Sequence, residues 1–282
     1  MAKVITAKTA GFCFGVKRAV DKAFELSESG GEIYTFGPVI HNDEVVGKLK
    51  EKGVKVLNTE EELAAVKSGT VILRSHGVSR HIIELLESNG IDYVDVTCPF
   101  VKRIHDIVDK ESLTRQIIIV GNPDHPEVQG IMGWCRSEAH VIRDVADAAD
   151  FKGEEGVSYC LVSQTTFNYK KFEEIVEILN EKLYNTLIVN TICNATEKHQ
   201  AEAREIASMV DTMIVIGDVK SSNSRKLFEI CREQCDQTYF IQTLKDLRLP
   251  GGTSVGSVGI TAGASTPNNI IEEVQNYVRD DI

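Results

Sequence analysis

"DYVDVTCPFVKRIHDIVDK", residues 92–110, decides the fold: a strand ends and a helix begins, with Cys98 at the junction. The β-branched and aromatic run "DYVDV" reads as a strand. "PFVKRIHDIVDK" reads as a helix, with Pro99 suited to its first turn. The same alternation fills the chain. Apolar runs "KVITA", "TVILR", "QIIIV", "SYCLV", "TLIVN", "TMIVIG" and "SVGI" are separated by helical patterns such as "EVVGKLKEKG", "YKKFEEIVEILNEKL" and "SRKLFEICREQ". Strands alternating with helices predict an α/β protein with mostly parallel sheets and right-handed crossovers. No proline- or serine-rich linker interrupts the rhythm, so lobes must join at tight turns.

The phrase Cys-x-x-Val-Lys-Arg in residues 98–103 also occurs at residues 13–18. Cys13 follows the strand-like "KVITAKTA" and precedes the helical "VKRAVDKAFELSE". Cys193, in "LIVNTICNATEKHQAEAREIASMV", occupies a third strand–helix junction without Val-Lys-Arg. The intervals are close to a third of the chain. Three pseudo-equivalent α/β lobes are expected, at 14–97, 98–192, and 193–282 with 1–13. The Lys-Arg pair reads as a solvated helix face.

Composition narrows the function. The 282 residues are 42% hydrophobic and 26% charged, ordinary globular values. A net charge of −11 argues against a nucleic-acid partner, which needs a basic face. No apolar run is long enough to span a membrane, and the start lacks the apolar core of a signal peptide. A reducing cytoplasm is expected, where the seven cysteines bind metal or lie buried.

A helix N-terminus favours a thiolate. One such cysteine could be a nucleophile or redox sensor; three could converge on a metal centre, or be separately buried. Zinc usually takes paired C-x₂-C ligands, which are lacking here, whereas an iron–sulfur cubane accepts thiolates distant in sequence. Cys160, Cys231 and Cys235 read as core; Cys135 is undecided.

Other polar residues fall where strands stop, the usual ligand-binding end of α/β sheets. They are His41 and Asn42; Ser75 and His76, with Gly77 for a sharp turn; His125 and Glu127; and Gln164, Thr165 and Thr166. Ser221, Ser222, Asn223 and Ser224 precede one helix, and Ser265 and Thr266 another. Singly, each could be an N-cap or an ordinary loop residue. Together, "SSNS" and "TAGAST" suggest nests for a phosphate group without a Walker loop. An enclosed Glu127 could donate a proton, with Thr165 orienting it. "GGTSVGSVG" does not match the dinucleotide fingerprint. His81, His105, His140 and His199 are assigned no role.

The motifs "GFCFGV", "IHN", "SHGV", "DVTCP", "HPEV", "QTT", "SSNS" and "TAGAS", in this order over nearly the full length, resemble the 4-hydroxy-3-methylbut-2-enyl diphosphate reductase family. The resemblance implies three α/β lobes around a central [4Fe-4S] cluster, or [3Fe-4S] after oxidative loss of the open iron. It implies Cys13, Cys98 and Cys193 as ligands and a substrate oxygen meeting that iron. His41, His76, His125, Ser221, Ser222, Asn223 and Ser265 would hold the diphosphate. Glu127 would deliver the proton, with Thr165 beside the substrate hydroxyl. The implied reaction removes that hydroxyl with two electrons, giving isopentenyl and dimethylallyl diphosphates, with ferredoxin or flavodoxin as donor. Two rivals are a Cys₃-zinc metallohydrolase of a small phosphorylated substrate and a non-catalytic iron–sulfur sensor.

Overall fold

A computed structural model describes residues 3–183, 185–249 and 256–280. Part of "GGTSVGSVG", residues 251–255, lies outside the described residues. Every ladder among them is parallel, as the alternation of strands and helices predicts.

Strand β1 (Lys3–Thr6) opens the chain. Next come β2 (Ile33–Phe36), β3 (Lys55–Leu57), β4 (Thr70–Leu73) and β5 (Asp92–Asp95), paired in the order β3-β2-β4-β5. A second sheet pairs β6 (Gln116–Val120), β7 (His140–Ile142), β8 (Tyr159–Ser163) and β9 (Thr186–Ile188) as β7-β6-β8-β9. In the third, β10 (Thr212–Ile216), β11 (Thr238–Ile241) and β12 (Ser257–Ala262) recruit β1, in the order β1-β12-β10-β11. All three sheets share one topology, and the chain's first strand serves as fourth strand of the last sheet.

The helices are α1 (Phe14–Glu28), α2 (Asp43–Glu51), α3 (Glu60–Ala64), α4 (Arg80–Ser88), α5 (Pro99–Glu111) and α6 (Pro126–Met132). They continue as α7 (Val145–Asp150), α8 (Tyr169–Lys182), α9 (Asn194–Ala207), α10 (Ser222–Arg232) and α11 (Asn268–Asp280). No described helix is long and apolar enough to cross a membrane.

Burial makes the central strands mostly apolar, with Thr35, Ser163 and Thr261 among the buried polar exceptions. On β6, Ile118 and Val120 face one core with Leu161 and Phe172. Ile117 and Ile119 face the opposite core with Ile104, Val108 and Val162. In the third sheet Ile214 and Ile216 pack with Ile260 and Val274, while Met213 and Val215 pack with Ala203 and Leu227. Cys160, Cys231 and Cys235 lie in these cores.

Tertiary contacts group the chain into two compact units. One comprises Met1–Val16, His41–Asp43 and Cys193–Ile282; the other comprises Lys17–Ile40 and Glu44–Ile192. The first holds the third sheet, and the second holds the other two.

Candidate active site

In each sheet the chain reverses its direction of winding between two central strands, at β2/β4, β6/β8 and β10/β12. Such switch points open crevices at strand C-termini. His41 follows β2 and His76 follows β4. His125 and Glu127 follow β6, and Thr165 follows β8. Ser221 to Asn223 follow β10, and Ser265 follows β12. The cysteines use another position: Cys13, Cys193 and Cys98 each come after the fourth strand of a sheet, directly before α1, α9 and α5. Cys98 and Cys193 are the N-caps of their helices, and Pro99 sits in the first turn of α5.

In the larger unit, His125 caps α6, its Nδ1 accepting the Glu127 N–H at 3.1 Å. Glu127 is 2% exposed. The Thr165 N–H donates to its Oε1 at 2.6 Å and the Thr165 hydroxyl to its Oε2 at 2.7 Å. Burial raises the Glu127 pKa, the Thr165 bonds lower it, and burial prevails, leaving it at about 7. The structure thus brings Glu127 and Thr165 together. The His76 and His125 rings lie edge to face, centroids 5.5 Å apart.

Gly77 turns the chain after His76 with φ +78, and an added Cβ would lie 2.7 Å from Cε1 of buried His105. His105 stacks on Trp134, centroids 5.2 Å apart, and burial lowers its pKa to about 4. Gly77→Ala combines a disfavoured backbone with overpacking. It is expected to cost about 1–3 kcal/mol in urea unfolding.

In the smaller unit Ser221 caps α10, accepting the Ser224 N–H at 3.3 Å. The hydroxyls of Ser224 and Ser265 donate to Ser221 Oγ at 3.0 and 3.3 Å. The close approach depends on glycines ending β10 and β12: a Cβ on Gly217 or Gly263 would lie 2.2 or 2.0 Å from Ser224 Oγ. Asn223 is 4% exposed, yet neither its Oδ1 nor its Nδ2 has a partner among the described residues. Buried amides without partners are costly, and a polar ligand at the α10 N-terminus would satisfy this one.

None of the three junction cysteines is in a disulfide, and each is partly exposed. Burial raises the Cys13 pKa, the Val16 N–H lowers it, neighbouring Cys193 raises it again, and the Gly15 N–H lowers it. The helix terminus alone predicts a thiolate at Cys13; burial and the second thiol outweigh it. A cation shared by the two sulfurs would reverse that balance, so the donor set fits a thiolate-held metal centre.

The Val-Lys-Arg repeat needs correction. Lys17 and Arg103 are solvated, but Arg18 is half-buried, and its Nη2 donates to the carbonyls of Val96 at 3.1 Å and Thr97 at 2.5 Å. Lys102 pairs with Asp95 at 2.6 Å. The repeated phrase draws attention to Arg18 but does not mark which of its basic residues is half-buried.

Fold and site together define a class: an α/β enzyme whose reactive groups stand at the C-terminal ends of parallel strands. The chain belongs to the LytB protein family, which matches residues 4–279. It is 43% identical over 280 residues to the 4-hydroxy-3-methylbut-2-enyl diphosphate reductase of Caldanaerobacter subterraneus subsp. tengcongensis, covering 98% of this chain and 96% of the relative. It is 42% identical over 282 residues to the enzyme of that name from Alkaliphilus oremlandii, covering 99% of each chain. Among solved structures, the E-1-hydroxy-2-methyl-but-2-enyl-4-diphosphate reductase of Plasmodium falciparum superposes with a TM-score of 0.93 at 26% identity, over 99% of this chain and 88% of that one. A solved (E)-4-hydroxy-3-methyl-but-2-enyl diphosphate reductase, described as the terminal enzyme of the non-mevalonate pathway, is 40% identical with a TM-score of 0.70, over 99% of this chain and 100% of that one.

Proposed function

We propose that this oxidoreductase removes the hydroxyl of 4-hydroxy-3-methylbut-2-enyl diphosphate, yielding isopentenyl and dimethylallyl diphosphates. Two electrons and two protons turn the C–O bond into a C–H bond and water. The observation that carries this reading is Glu127, a buried acid with a pKa of about 7 placed by Thr165. A hydroxyl departs far more readily as water than as hydroxide, and Glu127 supplies that proton.

In this reading Cys13, Cys98 and Cys193, which mark the boundaries of lobes 14–97, 98–192 and 193–282 with 1–13, hold the iron–sulfur cluster. When bound, the cluster supplies single electrons and an open Lewis-acidic iron. Ferredoxin or flavodoxin delivers the electrons. Ser221, Ser222, Asn223 and Ser265 bind the diphosphate through hydroxyls, an amide and the α10 N-terminus, with His41, His76 and His125 adding donors. This remote binding holds the reacting carbon in place. Thr165 orients the Glu127 carboxyl toward the substrate hydroxyl.

The decisive assay is anaerobic, with the C5 hydroxy-diphosphate and a chemical reductant. Formation of both diphosphate products is expected. A protein that holds iron and sulfide yet leaves the substrate intact would refute the reaction. Asn223→Ala removes the unsatisfied amide, so folded stability should hold or rise. The KM should increase about tenfold or more, because hydrogen bonds to charged groups contribute about 1.5–3 kcal/mol.

A further inference from the structure

Every loop that delivers a junction cysteine must keep its shape while its sulfur is bound or free. Ahead of Cys98, the Thr97 N–H bonds Asp95 Oδ1 at 2.8 Å, the Val96 N–H bonds Leu73 O at 3.2 Å, and the Cys98 N–H bonds Ser75 O at 3.0 Å. The carbonyls of Val96 and Thr97 point the other way, and Arg18 from α1 takes both. Ahead of Cys13, the arrangement recurs with opposite polarity. The free amides of Lys8 and Thr9 donate to Glu202 on α9 at 2.9 and 2.8 Å, and the Thr9 hydroxyl adds a bond of 2.6 Å. Burial raises the Glu202 pKa, but the Thr9 hydroxyl and the two amides lower it further, so the carboxylate stays charged.

Both tethers follow one rule. The helix behind one cysteine reaches the loop in front of another: α1, behind Cys13, grips the Cys98 loop, and α9, behind Cys193, grips the Cys13 loop. Charged groups bonded to several backbone atoms are strong, geometrically specific fasteners. Such outer partners commonly fix ligands in metal sites.

We propose that Arg18 and Glu202 are positioning residues for the cysteines, Arg18 setting the turn that presents Cys98 and Glu202 the loop that presents Cys13. The proposal deepens the functional reading and rests on these cysteines being cluster ligands.

Two measurements on the full chain test it. Anaerobically purified holoenzyme is challenged with an iron chelator, and cluster loss is followed by visible absorbance. Metal-stripped protein is treated with limiting iodoacetamide, and modification of each cysteine is read by mass spectrometry. Arg18→Met should speed cluster loss roughly tenfold, the scale of outer-partner effects in metal sites. It should also change alkylation at Cys98 while leaving Cys13 and Cys193 unchanged, and Arg18→Lys should restore most of both. Glu202→Gln should act on Cys13 alone. Arg18→Gln and Thr9→Val, smaller changes to the same contacts, carry the test if a larger change prevents folding. Wild-type cluster lifetimes in the variants, or equal changes at all three cysteines, would overturn the proposal. A wild type that binds no iron and sulfide would instead refute the cluster reading, while the alkylation pattern still reports on the tethers.

Discussion

Glu127→Gln is expected to lower turnover by about 10²–10⁴-fold, the usual contribution of a positioned acid. Iron, sulfide and substrate affinity should stay at wild-type levels. Glutamine preserves the shape and can still accept the Thr165 N–H now bound to Oε1. The Thr165 hydroxyl, which now donates to Oε2, can rotate to accept from the new amide. Only the proton is lost.

The pH dependence follows from the same group. With its pKa at about 7, Glu127 is protonated below that pH and ionised above it. Wild-type turnover should therefore fall about tenfold per pH unit above 7, and the residual rate of the variant should lack that limb. Stability carries the same signature. The folded value lies above the ordinary 4.5, so the folded protein binds more protons than the unfolded chain between 4.5 and about 7. Stability from this group is intact below 4.5, declines as pH rises through that window, and levels off above it. Glu127→Gln abolishes the decline and should unfold at a higher urea concentration than wild type at pH 8. A sensor or zinc hydrolase offers no reason for reductive turnover to depend on this proton. Full turnover in the variant would refute the acid role.

The sequence displayed the fold at its centre and hid it at its margins. "QIIIV" and "TMIVIG" are buried on both faces, so their β-branched runs stand out. The runs that escaped notice are "IYTF", "KVL", "HVI" and "TYFI", which form β2, β3, β7 and β11. Three of these are edge strands, where one partner and partial exposure relax the demand for apolar residues. β2 is central, but Tyr34 and Thr35 interrupt its apolar run. The cysteines and the serine run could be read because each occupies a strand–helix junction, a local pattern. Arg18 and Glu202 could not be assigned the same way. Their partners lie 78 and 193 positions away, and a charged residue on a helix looks identical whether it faces water or a buried turn. Cys13 teaches a related lesson: the helix-end argument accounts for the amide contributions of Val16 and Gly15, but burial depends on the folded surroundings.

Serine at any one of positions 13, 98 or 193 is expected to reduce turnover to background. The iron and sulfide retained under a chelator should fall by more than the roughly 10–100-fold that loss of an outer partner costs a metal site. A hydroxyl at these positions is a much harder, less acidic ligand than a thiol, so oxygen cannot replace the sulfur. The controls lie within the same chain. Cys160 and Cys231 are fully buried in apolar cores. Cys231→Ser should cost about 1–3 kcal/mol through polar burial while leaving iron and sulfide untouched. The two groups therefore fail in opposite ways, one in metal content with the fold kept, the other in stability with the metal kept. Iron analysis alongside urea unfolding separates them. If Cys98→Ser retained iron and sulfide at the wild-type ratio, Cys98 would not be a ligand, and the three-thiolate assignment would be wrong even if the chain still reduced its substrate.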